Sequence, residues 1–327
     1  LNGSDLAPFP LAFFCSGMVS SYLTELLALL RQHKVPYRHL RLLQDNRYTM
    51  EGSATAGTMK GGALPVELQL AIDSPLPADE LGQYLIQAVA ASPAGALLRQ
   101  CQRGVFSLHL NGSPLALPQL DASLHAVPPQ PLDFDRLAPA EQPFATDVIT
   151  KLKAATRRAD TPGGIGSSLL DNQKRVLHMR GSCQPRADGL LETVVELYQP
   201  LGSCFRFLCD PVLQAGHRQR APDSLAYLSA GIAFCYMTQL GRYAHILKRP
   251  LDDYRLLQDT WFSLPGVSGG TGLAGSMQAV RTAVHISSQE DPAYIQTLVT
   301  MGEQTCFLHA ACRDSVAVRI KPVTALD

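Results

Sequence analysis

The stretch DSLAYLSAGIAFCYMTQL, residues 223–240, decides how the rest of the chain is read. Leu225, Leu228, Ile232, Cys235 and Leu240 recur near a 3.6-residue period and the opposite face is nearly as apolar, which predicts a helix buried on most sides. Asp223 and Ser224, directly after Pro222, can accept from the free N–H groups of a first helical turn. Ser229, Ala230, Gly231 and Ala233 are small, so a second element can pack very close. Cys235 lies mid-helix, either as a core thiol or as a shielded reactive group.

The stretch occurs twice. Arg41-Leu42-Leu43-Gln44-Asp45 recurs 214 positions later as Arg255-Leu256-Leu257-Gln258-Asp259. At the same offset Leu11, Gly17, Tyr22, Thr24 and Leu26 recur as Leu225, Gly231, Tyr236, Thr238 and Leu240, and Lys34 and Pro36 as Lys248 and Pro250. Such self-similarity marks a duplicated structural unit. Each copy reads helix, strand, Gly-rich loop, strand, helix, strand. Val66, Leu68, Leu70 and Ile72 alternate like a strand face, as do Val280, Thr282, Val284 and Ile286. Helices are predicted over 78–91 and 292–305, and closing strands over 105–110 and 316–320. Gly-rich loops cover 52–62 and 266–275, the second read as a mobile hairpin connection because it lacks the Lys-Ser/Thr of a phosphate loop.

The boundaries follow: a shorter first repeat over 1–113, a connector over 114–145 and a complete second repeat over 146–327. The connector region contains Pro114, Pro118, Pro128, Pro129, Pro131, Pro139 and Pro143, which predicts an extended surface path. A short amphipathic helix is expected over 144–155, a loop over 161–168, and strands over 175–179, 190–197 and 204–208. These three strands have no counterpart ahead of the first repeat in this sequence.

Composition narrows the function classes. The 327 residues carry 28 Lys+Arg against 28 Asp+Glu, and this balance speaks against nucleic acid or an anionic membrane as the main partner. The apolar run 6–30 has no basic segment ahead of it, is broken by Ser16, Ser20, Ser21, Thr24 and Glu25, and aligns with the core helix; it is read as core, not as a signal peptide or membrane span. Eight cysteines without a CxxC pair suit neither a disulfide scaffold nor a structural zinc site, and the expected compartment is reducing and cytoplasmic. No metal or cofactor is expected.

The order of elements, with APDSLAYLSAGIAFC (221–235), LKRPLDDYRL (247–256) and GEQTCFLHAACRDSVAV (302–318), resembles the OsmC/Ohr family of thiol-dependent hydroperoxide reductases. The resemblance implies an α+β fold, antiparallel sheets around central helices, with the two repeats forming an intrachain pseudo-dimer. It maps the two family cysteines onto Cys235 and Cys306; Phe307 replaces the proline that usually follows the second. At the 214 offset their equivalents are Ser21 and Ser92, so only the second repeat keeps both thiols. The family arginine maps onto Arg186, with Arg180 as the competitor. The family glutamate falls on Ala226, and Asp223, one turn earlier, is the candidate substitute.

By this resemblance Cys235 attacks an organic hydroperoxide, Cys306 closes the disulfide, and an external dithiol reduces the pair. Phe234, Tyr236 and Met237 are the expected apolar neighbours of the substrate. His309, three residues after Cys306, reads as a structural histidine, and the basic run 217–222 as solvated surface. The alternative function is a non-catalytic binding or regulatory protein on the same scaffold, which the loss of the glutamate favours.

Overall fold

The computed structural model describes residues 6–123, 147–153, 173–199, 202–213, 216–249 and 251–325. The expected loop 161–168 and most of the expected connector lie outside these residues. The described chain is α+β, as expected. In the first half, α1 (Pro10–Gln32) leads to β1 (Leu40–Gly52), β2 (Lys60–Ala63), β3 (Val66–Ile72), α2 (Ala78–Ala91), α3 (Pro93–Arg99), β4 (Val105–Leu110) and β5 (Ser113–Leu115). Then come β6 (Ile149–Lys153), β7 (Gln173–Pro185), β8 (Leu191–Gln199) and β9 (Cys204–Cys209). The second half repeats the plan as α4 (Ser224–Ile246), β10 (Asp253–Asp259), β11 (Arg281–Ser287), α5 (Pro292–Thr305), α6 (Phe307–Arg313) and β12 (Val318–Ile320).

The quoted stretch is α4. Asp223 caps it, its side chain accepting from the N–H groups of Leu225 and Ala226. Its counterpart α1 has no side-chain cap; Pro10 opens the first turn instead, where its missing N–H costs nothing. Both helices end alike. Lys34 (φ 54°) and Lys248 (φ 56°) turn left-handed after the last turn, and the next amides return to carbonyls of that turn, Val35 N–H to Leu30 and Arg249 N–H to Ala244. This is the common left-handed stop of a helix, placed at the repeat offset.

Strand registers repeat with the same fidelity. Leu40 faces Ile72 between β1 and β3, and Tyr254 faces Ile286 between β10 and β11. Tyr48 pairs with Ala63 and, 214 residues on, Phe262 with Met277. The closing strands cross over: β4 of the first half lies parallel to β11 of the second, and β12 of the second lies parallel to β3 of the first. Each sheet therefore contains strands of both halves. One runs β12-β3-β1-β7-β8-β9-β6 with β2 on β1, the other β10-β11-β4-β5.

The two long helices pack against each other at glycines. A Cβ on Gly17 would sit 2.5 Å from the Ser224 carbonyl oxygen and 2.7 Å from the Leu228 nitrogen, and one on Gly231 would sit 2.7 Å from the Phe14 nitrogen. Phe14 and Leu228 occupy equivalent positions, so the contact is reciprocal. By length and composition α1 could cross a membrane, but 78% of its most apolar window is buried inside the protein.

Three expectations need correction. Residues 149–153 form a strand, not part of a helix: β6 pairs antiparallel with β9, and these backbone hydrogen bonds override a weak helical period. Residues 114–123 are not a free connector, because β5 pairs with β4 and Ala122 bridges Phe106. The loop at 266–276 is anchored: the buried carboxylate of Glu25 accepts from Val267 N–H at 2.8 Å and from both the amide and the hydroxyl of Ser268. The short helices α3 and α6 were not expected; Ser92 caps α3 by accepting from Ala94 N–H, with Pro93 in its first turn.

The seam between the halves carries a polar cluster. Asp45 on β1 receives Arg180 through two bonds, 2.9 and 3.0 Å, and lies 2.6 Å from His178. Burial works against the charge of Asp45, but the hydrogen bonds from Arg180 and His178 outweigh it and hold the carboxyl below its usual range.

Two outcomes test this architecture. Gly17→Ala and Gly231→Ala should each destabilise the protein by about 2 kcal/mol or more in denaturant unfolding, because backbone cannot yield to the new methyl. Asp45→Asn should cost about 2 kcal/mol at neutral pH. A carboxyl with a lowered folded-state pKa contributes stability above its unfolded value and loses it on acidification, so the gap to wild type should close as pH falls below ~4.

Candidate functional site

The site is built where α4, α5 and α6 meet. Cys235 faces inward from the middle of α4 and is 2% exposed. Cys306 is the residue between α5 and α6, with an extended backbone (φ −74°, ψ 116°) that ends one helix and caps the next; it is fully buried. The Cys235 thiol is close enough to Cys306 to act directly on its ionisation, and both are unbridged. In the first half the same geometry holds Ser21 and Ser92, whose hydroxyl oxygens are 2.7 Å apart. The fold thus brings the two repeat-equivalent positions together in each half, as sulfur in one and as oxygen in the other.

His309 adds what periodicity alone did not reveal. One turn into α6, its Nδ1 lies 3.3 Å from Cys306 Sγ, while its Nε2 is buried without a hydrogen-bond partner. The ring is enclosed by Phe106 and Tyr236, with centroids at 5.4 and 5.3 Å. The first-half position equivalent to His309 is Gly95, so the imidazole belongs to the cysteine site alone. The spacing Cys-x-x-His across a helix start was the available signal, since it returns the two side chains to one side of a short helix.

First-half residues close the site. Tyr48 of β1 packs on Phe307, ring centroids 5.8 Å apart, and both Cys235 and Cys312 bear on its hydroxyl electrostatically. Gly61 of β2 lies against the helix junction: a Cβ there would sit 2.7 Å from the Thr305 carbonyl oxygen. Gln304 donates to the Met59 carbonyl at 2.8 Å. The reciprocal closure exists on the other side, where Gly275 presses on Ser92 and Pro93.

The electrostatics keep Cys306 a thiol. Burial, then the neighbouring Cys235, pushes the Cys306 thiol well up, and the His309 imidazole pulls the other way. The arginines and the acid lie elsewhere. Arg186 sits on the exposed β7–β8 turn, bonded to Asp188 and Glu192. Arg180 is held by Asp45 and stacks over Tyr198 with its guanidinium 4.6 Å from the ring centroid. Asp223 is engaged as the helix cap and also accepts from Gln219. Ala226 is exposed. So the structure unites Cys235 with Cys306 and gives Arg186 and Asp223 structural partners of their own. Phe234 and Met237, expected around the substrate, are 43% and 41% exposed; Tyr236, Phe106, Phe307 and Tyr48 form the apolar shell instead. In the basic run, His217 and Arg220 are drawn onto the buried Asp210.

Among the described residues no cluster of three or more His, Cys, Asp or Glu could hold a metal ion. In comparisons with protein-family models, curated proteins and solved structures, nothing matches this chain.

The contact of the two thiols predicts a specific oxidation product. Treatment with a mild thiol oxidant should join Cys235 to Cys306, seen by peptide mapping under non-reducing conditions, ahead of any bridge between other pairs. Serine at either position should abolish that crosslink and leave the remaining cysteines free.

Proposed function

We propose that the chain is a redox protein of the OsmC/Ohr type, its halves forming an intrachain pseudo-dimer, in which Cys235 and Cys306 reduce organic hydroperoxides in a reducing, cytoplasmic compartment. The observation that carries this reading is the pairing of the two thiols at positions where the other half pairs Ser21 with Ser92. Two unrelated core cysteines have no reason to meet; a duplicated site that has kept its sulfur in one copy does. The reciprocal contacts of Gly17 and Gly231 and the exchanged strands β4 and β12 support the pseudo-dimer.

The chemistry balances as follows. The Cys235 thiolate attacks the distal oxygen of ROOH; the O–O bond breaks, ROH leaves with the proton, and Cys235 becomes a sulfenic acid. The Cys306 proton passes to His309 Nδ1, and the thiolate attacks the Cys235 sulfur. Hydroxide is expelled and takes the imidazolium proton, giving water and a disulfide. A small or protein-bound dithiol then reduces the disulfide by exchange, becoming oxidised itself. The shell of Tyr236, Phe106, Phe307 and Tyr48 suits an apolar R group.

One observation favours the alternative, a non-catalytic binding or regulatory protein. The Cys306 thiol is pushed up by burial, and both Arg180 and Arg186 are bound to carboxylates away from the thiols. A thiol without a nearby guanidinium ionises poorly.

Peroxide consumption with a dithiol separates the two. Cys235→Ser should abolish turnover. Cys306→Ser should leave a sulfenic acid on Cys235 that a dimedone probe traps. His309→Asn should slow disulfide closure by about a hundredfold or more, the usual loss for a proton acceptor. Equal rates for wild type and Cys235→Ser would end the enzyme reading and leave the alternative.

A further inference from the structure

The thiol pair and the serine pair are closed by equivalent segments of the opposite half. Gly61 of β2 lies against the Thr305 carbonyl beside Cys306, and Gly275 lies against Ser92. On these segments Tyr48 and Phe262 hold one register: Tyr48 pairs with Ala63, and Phe262 with Met277, both 214 residues on. The segment that closes the thiols therefore carries a phenol where the segment that closes the serines carries a phenyl ring. Four positions change together between the two sites: Cys235 for Ser21, Cys306 for Ser92, His309 for Gly95 and Tyr48 for Phe262.

Packing does not explain the hydroxyl. Phenylalanine fills the equivalent place, and the Tyr48 ring rests on Phe307 with centroids 5.8 Å apart. Tyr48 is 1% exposed, and its hydroxyl has no hydrogen-bond partner among the described residues. Asn46, on the same face of β1, is already engaged: it accepts from Gln44 at 2.7 Å and donates to the Met18 sulfur. An orphaned buried hydroxyl costs stability, so a role other than packing keeps it. Burial, then Cys15 and Cys235, hold the phenol well above its usual range, against a weaker pull from Asn46. It therefore stays protonated and available as a donor. Of the two thiols, Cys15 has Gln44 as its donor.

We infer that Tyr48 is the catalytic proton relay of the thiol site, its hydroxyl taking the Cys235 proton and handing its own to the departing oxygen of the peroxide. The inference deepens the redox reading above and rests on it. A sulfur lone pair forms the S–O bond to the distal oxygen as the O–O bond breaks. The O–O electron pair stays on the proximal oxygen, which takes the phenol proton and leaves as ROH. The S–H proton refills the phenol. Sulfur is oxidised, the peroxide is reduced and Tyr48 ends unchanged. A neutral donor at this place does for the leaving oxygen what a guanidinium would do, and Arg180 and Arg186 are both held elsewhere. Tyr48 then handles the proton of Cys235 as His309 handles that of Cys306.

The test follows sulfenic acid formation on Cys235, trapped with dimedone, in the intact chain carrying Cys306→Ser. With cumene hydroperoxide, Tyr48→Phe should slow it by about a hundredfold or more. With peracetic acid, whose acetate leaves without a proton, the same change should cost almost nothing. Tyr48→Phe should also keep or raise the denaturant midpoint, because it removes an orphaned hydroxyl and retains the ring. Equal rates with cumene hydroperoxide, an equal loss with both oxidants, or a lowered midpoint would overturn the inference and leave the redox reading standing. No sulfenic acid on Cys235 with either oxidant would end the redox reading and the inference with it.

Discussion

The close approach of α1 and α4 at Gly17 and Gly231 is the constraint on which the other features depend. With a Cβ already too close to backbone at both points, the helices have one way to cross, and each presents its glycine to the other's equivalent side chain. Everything that hangs from the helices inherits this reciprocity. Each half's closing strand ends beside the other half's sheet, so β4 joins β11 and β12 joins β3. Each sheet draws strands from both halves, and the main core cluster contains side chains of both.

Within that frame the halves have diverged in chemistry. The same two positions hold a hydroxyl pair in one half and a thiol pair in the other. Both pairs lie in low-dielectric surroundings, where a polar group without a partner is costly. The serines satisfy each other, and Ser92 in addition caps α3. The thiols need less, being weak donors and acceptors, but they are joined by an imidazole that has one nitrogen on sulfur and the other unpartnered. Glu25 shows the same divergence in a structural role: it clamps the Gly-rich loop through Val267 and Ser268, while its equivalent in α4 is Gln239.

Much was legible in the chain itself because it is local. The helix over 223–240 and its copy in the run 6–30, the alternating strands after them and the matched positions Ser21/Cys235 and Ser92/Cys306 all follow from periodicity and a fixed offset. The short helix α3 had a readable signal in Ser92-Pro93, a capping side chain before a proline. The strand at 149–153 did not: five residues at a sheet edge carry too little period to tell strand from helix.

What the sequence determined by itself was therefore which faces are apolar, where elements begin and end, and which residues are copies of which. Tertiary structure alone decided what those faces meet. Arg180 lies on β7 and Arg186 just past its end, yet the β7–β8 turn hands Arg186 to Asp188 and Glu192 while the pairing of β7 with β1 hands Arg180 to Asp45. Asp45 and Asp259 stand in identical pentapeptides, and among the described residues only Asp45 has a strand on both sides. The physical reason is range. A side chain's preference for burial or charge acts on its own torsions and near neighbours along the chain. The partner of Asp45 lies across a sheet, 135 residues away at Arg180, where only the closed packing of both halves selects it.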